Sequence, residues 1–429
     1  MSASPHSAKN NAGRTPRVFR PVAVTALAAA LVTGAAAPAL ATVDGKAVPK
    51  AAAGQDRPEL QKTIQAIVDA GFLGVQARVN DERGEWVGSA GQRKLGTNAK
   101  PPANGHFRIG SSTKPFVATL VLQLVARGKI KLDAPVADYL PQFKLDRRIT
   151  VRMLLQHTSG LYNYTGEFRP DGSVEPGIPA TGKEWADVRF KTYQPEELVR
   201  FGLSKELRFT PGEKWSYSNT GYTLAQLLIE KVTGHSIAEE MKRRILGPLK
   251  LRGTVLPGAS PELPRPHPHG YFRYQDDAGQ WKVIDVTRQN PSMTAAAGDM
   301  ISTTQDLATF YSALNGGKLL PAKLLAEMRK THPKSAGPFG GYGLGTYVQD
   351  MGPNCGTVLH HNGSTAGGYV SVMYGTPDGK KTLTASITYG DAAPDLAEAF
   401  PKARDNLLKQ VFCDEQTGPA NEAEPTSSP

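Results

Sequence analysis

The sequence FRIGSSTKPFVATLVLQLVARGK, Phe107–Lys129, places a serine and a lysine three residues apart where a glycine-containing stretch enters a long apolar run. At positions i and i+3 of a helix, the side chains of Ser111 and Lys114 share one face, roughly 5–6 Å apart at Cβ. Free backbone N–H groups at the helix start favour an oxyanion near Ser111. Burial lowers the pKa of a lysine, so Lys114 could accept the serine proton. Taken alone, however, the pattern is more typical of a serine cap and a surface lysine.

A second motif, Tyr217-Ser218-Asn219, stands in a loop just before a predicted helix. Loops on a rigid frame are the usual place for site residues. The Tyr217 phenol could move a proton to a leaving group if a neighbouring cation lowers its pKa. The Asn219 amide could hold a substrate carbonyl and the lysine together. By itself, the motif is more simply explained as a helix cap.

A third motif, His361-Asn362-Gly363-Ser364, immediately precedes a predicted strand that begins at Tyr369. Its backbone could pair with an extended substrate, because Gly363 allows a ligand to approach closely. The Ser364 N–H is a candidate second donor to an oxyanion, beside the N–H of Ser111. Taken singly, this motif is a turn.

Strand patterns occur at both ends of the chain. GVQARVND and GEWVGSAGQR alternate around Glu82–Gly84, and a second hairpin has strands at Tyr369–Tyr374 and Thr382–Tyr389. Between about Ile149 and Thr287 the sequence is helical or loop-like. We predict an α/β plus all-α fold, with an antiparallel β-sheet flanked by helices, built from both chain ends, and an inserted helical domain. The predicted sheet domain comprises residues 57–148 and 288–413, and the insertion comprises residues 149–287.

We predict that both ends of the chain lie outside the folded domains. Residues 1–41 combine arginines, an uncharged run and a small-residue site ending at Ala41, which predicts a cleaved secretory signal peptide. The run is short for an uncleaved anchor. Residues 42–56 are a leader, and residues 414–429 are a predicted disordered tail. We expect a secreted, monomeric protein without an integral membrane anchor. Despite the net charge of +11, no basic run with interleaved aromatics indicates nucleic acid as a partner.

Cys355 and Cys413 are the two cysteines of the chain. In an oxidising compartment they predict one disulfide, worth ~4 kcal/mol in the chain-entropy model, although two buried thiols remain an alternative. The histidines at His267–His269 and His360–His361 lack the second ligand cluster that zinc requires. We therefore predict no metal and no cofactor.

The order of the three motifs, S-x-x-K, Y-S-N and H-x-G, resembles that of the active-site serine penicillin-recognising enzymes. The tyrosine and histidine variants resemble the class C β-lactamase branch. LQLVARGKIKLDAPVADYLP, ITVRMLLQHTSGLYNYTGEF and PGEKWSYSNTGYTLAQLLIEKVTGHS are similar to the secreted Streptomyces-type D-alanyl-D-alanine carboxypeptidase. The resemblance extends from about Arg57 to Cys413.

This resemblance implies a complete mechanism. Ser111 would attack the carbonyl between two D-alanines, Lys114 would take its proton, and Tyr217 would pass a proton to the leaving amine. Asn219 would bind the acyl-side amide, and His361 would support the Tyr217–Lys114 network. The implied substrates are peptidoglycan stem peptides, with water or an amine receiving the acyl group. β-Lactams would act as inhibitors or poor substrates.

Two departures from the family leave the reaction open. After GYGLG the family carries an arginine that grips the substrate carboxylate, whereas this chain has Tyr347, Val348 and Gln349. Asn362 and Ser364 also replace two threonines. The family's substrate-binding walls correspond to Met293 and Phe168. Esterases, D-amino-acid amidases or peptidases, β-lactamases and a penicillin-binding sensor without turnover therefore remain alternatives.

Overall fold

The computed structural model describes residues 56–168, 174–365, 367–391 and 396–413. The predicted signal peptide, nearly all of the leader and the predicted tail lie outside these ranges. The helices are α1 Pro58–Asp69, α2 Lys114–Ala126, α3 Val151–Gln156, α4 Gly182–Val188, α5 Pro195–Leu203, α6 Asn219–Thr233, α7 Ile237–Met241, α8 Thr304–Asn315, α9 Ala322–Arg329 and α10 Leu396–Phe412. The strands are β1 Gly74–Asp81, β2 Gly84–Gly91, β3 Phe107–Arg108, β4 Glu167–Phe168, β5 Val174–Glu175, β6 Tyr271–Gln275, β7 Trp281–Asp285, β8 Ile301–Ser302, β9 Gly341–Tyr342, β10 Tyr347–Asp350, β11 Thr357–His360, β12 Gly363–Ser364, β13 Tyr369–Gly375 and β14 Thr382–Thr388.

The main sheet joins the two ends of the chain. Its order is β2-β1-β14-β13-β11-β10-β9, with β12 also paired to β13, and neighbouring strands are antiparallel. The β1–β14 pairing runs from Gly74 opposite Thr388 to Asn80 opposite Thr382. Both predicted hairpins are present as β1–β2 and β13–β14. The predicted antiparallel sheet built from both chain ends is thus confirmed.

One face of this sheet is covered by the first and last helices. Leu60, Ile64 and Ile67 of α1 follow a helical stripe and are almost fully buried. They pack with apolar side chains of the sheet and of α10, which include Val75, Ala77, Val372, Ile387, Leu407 and Val411. A disulfide between Cys355 and Cys413 links the β10–β11 connection to the end of α10. The predicted disulfide is confirmed, and the alternative of two thiols is wrong.

The helix α2 lies in the main core on the other side of the sheet. Its residues from Lys114 to Leu122 are buried, so the helix has no exposed face over its first nine positions. It packs with residues of α6 and α8 in one continuous apolar cluster, among them Leu224, Leu228, Leu307 and Phe310. A lysine in the first turn of this helix therefore enters the core with it.

Short strands account for the main difference from the predicted elements. The hairpin β6–β7 lies inside the segment predicted to be helical, and β9, β10 and β11 extend the sheet beyond the predicted strands. In β7 four of the five residues are exposed, so burial imposes no clear alternation on its sequence. All described residues fall within one compact unit, Ala51–Pro429, and the division at residues 149–287 stays a prediction. No described helix combines the length and apolarity needed to cross a membrane.

Candidate active site

Ser111 and Lys114 meet because the chain enters α2 through a tight turn. Gly110–Thr113 form a 3₁₀ turn, in which side chains at i and i+3 eclipse one another. Lys114 Nζ lies 3.2 Å from Ser111 Oγ. The lysine side chain is fully buried, and this desolvation lowers its pKa well below the ordinary value. An uncharged amine beside a serine hydroxyl is a competent general base.

The three contacts of the lysine suit an uncharged amine. Nζ lies 2.9 Å from Asn219 Oδ1 and 2.8 Å from the Ala297 carbonyl oxygen. A neutral amine has two N–H groups and one lone pair, so donation to these two acceptors leaves the lone pair for Ser111 Oγ. After proton transfer, all three N–H groups of the ammonium have acceptors. The site can therefore hold either protonation state of Lys114 without an unpaired donor.

Tyr217 completes the contact around the serine. Its hydroxyl donates to Ser111 Oγ at 2.8 Å, and its ring centroid lies 4.6 Å from Lys114 Nζ. An ammonium formed on Lys114 would be stabilised by this ring face. Burial raises the pKa of Tyr217 well above its ordinary value, so the condition that a neighbouring cation lowers this pKa is not met. The reason is that desolvation of the buried phenol dominates, and the neighbouring Tyr347 raises the pKa further.

Asn219, the first residue of α6, is held from two sides. Its N–H donates to Asn163 Oδ1 at 3.0 Å, and its Nδ2 donates to Thr165 Oγ1 at 3.2 Å. These bonds direct the amide oxygen toward Lys114. Asn163 and Thr165 belong to the segment LYNYTG, and the sequence reasoning assigned no role to either residue.

His361 contacts Tyr342 rather than Tyr217. Its Nε2 lies 3.2 Å from the Tyr342 hydroxyl, and its Nδ1 donates to the Asn362 carbonyl at 2.7 Å. The ring centroids of His361 and Tyr217 are 6.5 Å apart. Among the described contacts no hydrogen bond links His361 to Tyr217 or Lys114, and its role stays a prediction.

Two glycines bring the strand β12 against the turn that carries Ser111. A Cβ on Gly363 would lie 2.0 Å from the Ile109 carbonyl oxygen and 2.7 Å from the Ser111 nitrogen. A Cβ on Gly110, whose φ is +49°, would lie 2.4 Å from the Ser364 carbonyl oxygen. The backbones of residues 110–111 and 363–364 are therefore in direct contact, as a pair of oxyanion donors at Ser111 and Ser364 would require.

A cavity of about 400 Å³ opens beside the serine. Its lining includes Ser111, Tyr217, Phe339, Tyr347, Asn362 and Ser364, and none of the described lining residues is a lysine or an arginine. Tyr347 thus lies in the cleft at the position where the family has an arginine. A second cavity, of about 680 Å³, touches the other side of Tyr217 and is lined by Thr165, Glu167, Ile178 and Glu184 among others.

Met293 and Phe168 are the two residues predicted to form walls of the substrate site. Met293 is buried in a cluster with Tyr164 and Trp185 and lines neither cavity. Phe168 belongs to β4, but its side chain lies outside the described part of the chain. Both roles stay predictions. Within the described ranges no three histidine, cysteine, aspartate or glutamate side chains come together as a metal site.

The arrangement of Ser111, Lys114 and Tyr217 agrees with the family resemblance of the sequence. The family model described as Beta-lactamase matches residues 60–407. The chain belongs to this beta-lactamase family. Its fold is accordingly the β-lactamase/transpeptidase fold, and the protein is a serine hydrolase of the β-lactamase and penicillin-binding protein superfamily. Membership does not distinguish the class C or carboxypeptidase branches.

Solved relatives include amide hydrolases. The chain is similar to a D-stereospecific amidohydrolase from Streptomyces sp., with 37% identity, a TM-score of 0.71 and coverage of 84% of this chain and 99% of the relative. It is also similar to the D-amino acid amidase from Ochrobactrum anthropi SV3, with 25% identity, a TM-score of 0.70 and coverage of 82% and 98%.

Sequence relatives include proteins described as penicillin-binding. Penicillin-binding protein 4* of Bacillus subtilis is 28% identical over 71% of this chain. The chain spans 65% of the length of that relative, so the activity of the whole relative does not transfer directly. Esterase EstB of Burkholderia gladioli is 34% identical over 36% of this chain and 40% of its own length.

Proposed function

We propose that this protein is an exported serine hydrolase that cleaves amide bonds of D-configured amino-acid or peptide substrates through an acyl-enzyme on Ser111. The observation that carries the proposal is the cleft beside Ser111, whose described lining offers no cation to a terminal carboxylate. A leaving group without a carboxylate, such as ammonia or an amino-acid amide, avoids placing an unpaired carboxylate in the cleft. The 37% identity to a D-stereospecific amidohydrolase supports the D configuration.

In the proposed acylation, Lys114 Nζ accepts the hydroxyl proton of Ser111 while Oγ attacks the substrate carbonyl carbon. The carbonyl electron pair moves to oxygen, and the N–H groups of Ser111 and Ser364 donate to this oxyanion. Tyr217 gives its proton to the leaving nitrogen and is reprotonated from Lys114. Its hydroxyl is 2.8 Å from Ser111 Oγ, close to the bond that breaks. The amine then departs and leaves an ester on Ser111.

Deacylation reverses these roles. A water molecule takes the place of the departed amine, and its proton passes through Tyr217 to Lys114 as its oxygen attacks the ester carbon. The collapsing intermediate releases the acid, and Ser111 Oγ regains its proton from Lys114. Asn219 is proposed to hold the acyl-side amide while it accepts a hydrogen bond from Lys114.

The test compares D-Ala-D-Ala with its C-terminal amide, and D-phenylalanine amide with L-phenylalanine amide. We expect the D-amides to react about tenfold or more faster than the free acid and the L-amide. The Ser111→Ala variant is the control and should lose the activity. Equal rates for both enantiomers, or a clear preference for the free acid, would contradict the proposal.

D-alanyl-D-alanine carboxypeptidase is the second candidate, and the penicillin-binding relatives favour it. A carboxypeptidase would prefer the free acid and be acylated at Ser111 by fluorescent penicillin. Labelling without D-alanine release would instead indicate a penicillin-binding sensor, and turnover of a β-lactam would indicate a β-lactamase. Hydrolysis of p-nitrophenyl esters with neither labelling nor amide cleavage would indicate an esterase. Export through the segment 1–41 and a monomeric state are parts of the proposal that N-terminal sequencing and light scattering would test.

A further inference from the structure

We propose that His157 is a positioning residue that holds the Tyr217 phenol on Ser111. The inference rests on the proposed function, in which Tyr217 moves the proton to the leaving group. His157 belongs to the segment QHTSG, and it is fully buried behind Tyr217. Neither cavity has His157 in its described lining, so the residue would act through Tyr217 rather than on the substrate.

The backbone of His157 adopts a conformation that few residues other than glycine accept. It terminates α3 with φ +62° and ψ +36°, in the left-handed region. Glycine and asparagine are usual at this helix end. A histidine in an unfavourable backbone conformation at a buried position points to a role that outweighs the strain.

His157 makes three contacts with the segment Ser216–Ser218, which carries Tyr217. The His157 carbonyl accepts the N–H of Ser216 at 3.0 Å, and its Nδ1 accepts the N–H of Ser218 at 3.2 Å. The residues on both sides of Tyr217 are thereby tied to His157. The imidazole also packs against the Tyr217 ring, with centroids 4.3 Å apart. The loop that carries Tyr217 has therefore little freedom to move the hydroxyl away from Ser111 Oγ.

The hydrogen bond to Ser218 determines the form of the imidazole. Because Nδ1 accepts, the proton of the neutral ring is on Nε2, which is buried without a hydrogen-bond partner among the described residues. Burial lowers the pKa of His157 well below its ordinary value, and a positive charge formed on Lys114 or on His361 would lower it further. The other titratable groups packed around the ring are tyrosines, namely Tyr217, Tyr222 and Tyr342. His157 thus stays neutral and retains the acceptor that holds Ser218.

A double-mutant cycle tests this role. His157→Phe keeps a planar ring but removes the Nδ1 acceptor, and Tyr217→Phe removes the phenol. We expect His157→Phe to lower kcat on a D-amide about 30-fold or more, with KM changed less than about threefold. In the Tyr217→Phe background, His157→Phe should lower kcat less than about twofold, because the two residues act as one unit. His235→Phe, at an exposed histidine, is the matched control.

Substrate dependence gives a second readout that a structural role would not produce. An activated p-nitrophenyl ester needs little protonation of its leaving group, so His157→Phe should slow it less than about fivefold. His157→Asn retains an acceptor and tolerates the left-handed backbone, and it should recover part of the lost kcat. If His157→Phe does not fold, as judged by circular dichroism, the cycle is run with His157→Asn.

The outcomes distinguish a failure of the His157 inference from a failure of the proposed function. A loss of equal size in both Tyr217 backgrounds, or on both substrates, would assign His157 to folding alone and overturn the inference. An unchanged D-amide rate in Tyr217→Phe itself would overturn the proton transfer in the proposed function, and this inference with it.

Discussion

Replacing Lys114 by methionine should abolish most of the activity without unfolding the protein. Methionine is similar in length and fits the buried channel, but it cannot accept the proton of Ser111, whose Oγ lies 3.2 Å from Lys114 Nζ. Loss of a general base costs about 10²- to 10⁴-fold, or roughly 3–5.5 kcal/mol of transition-state stabilisation. The matched control is Lys129→Met, an exposed lysine beyond the end of α2, which should change kcat/KM less than about twofold.

The pH dependence of stability should report the same lysine. The unfolded chain binds a proton on Lys114 up to its ordinary pKa of 10.5, whereas the folded pKa is well below that value. Between these two pKa values the unfolded state binds more protons, so wild-type stability rises with pH by at most about 1.4 kcal/mol per unit. Methionine removes this slope. The stability of Lys114→Met relative to wild type should therefore fall as pH rises toward 10.5.

Two measurements check these expectations. The rate of acylation by a D-amide or a p-nitrophenyl ester, followed against pH, should show an acid limb in wild type that is absent in Lys114→Met. Urea unfolding of both proteins at several pH values gives the stability difference. A variant that keeps kcat/KM within tenfold of wild type, or a stability difference that does not change with pH, would refute an uncharged Lys114 as the base.

Three further predictions concern the frame of the site. Replacing Cys355 and Cys413 by serine should lower the free energy of unfolding by about 2–5 kcal/mol in urea titrations, with kcat/KM nearly unchanged. Gly363→Ala should reduce acylation of Ser111 about 100-fold or more, because its Cβ would lie 2.0 Å from the Ile109 carbonyl oxygen, and wild-type rates would contradict the close packing of β12. Burial raises the pKa of Asp299 to about 8, so the contribution of Asp299 to stability should fall between pH 4 and that value, and the Tm of wild type relative to Asp299→Asn should fall over the same range.

The residues that could be predicted from sequence are those whose chemistry belongs to their own side chains. Ser111 and Lys114 are adjacent in one turn, so their meeting follows from local geometry. The role of Tyr217 beside them was predicted from the order of the three motifs, which is the order in the family that the chain resembles. The sheet of both chain ends was predictable because β1, β2, β13 and β14 are apolar on buried faces and bounded by turn residues.

What could not be predicted depends on the assembled structure. The Ala297 carbonyl that binds Lys114 and the amides of Ser216 and Ser218 are backbone groups, which leave no mark in the residue types. The raised pKa of Tyr217 could not be predicted because it depends on burial in the assembled structure. The strands β6 and β7 were missed because few of their residues are buried, so burial imposes little alternation on their sequence.

The pairing of β1 with β14 has a consequence for biosynthesis. Asn80 and Thr382, side-chain partners at this seam, are 302 positions apart in the chain. In the first hairpin β1 is paired with β2, but it gains its second neighbour, β14, only after nearly the whole polypeptide is made, and such distant closure slows folding. A ribosome that stalled before residue 382 would release a chain with an open, adhesive sheet edge at β1, prone to aggregate rather than to retain partial activity.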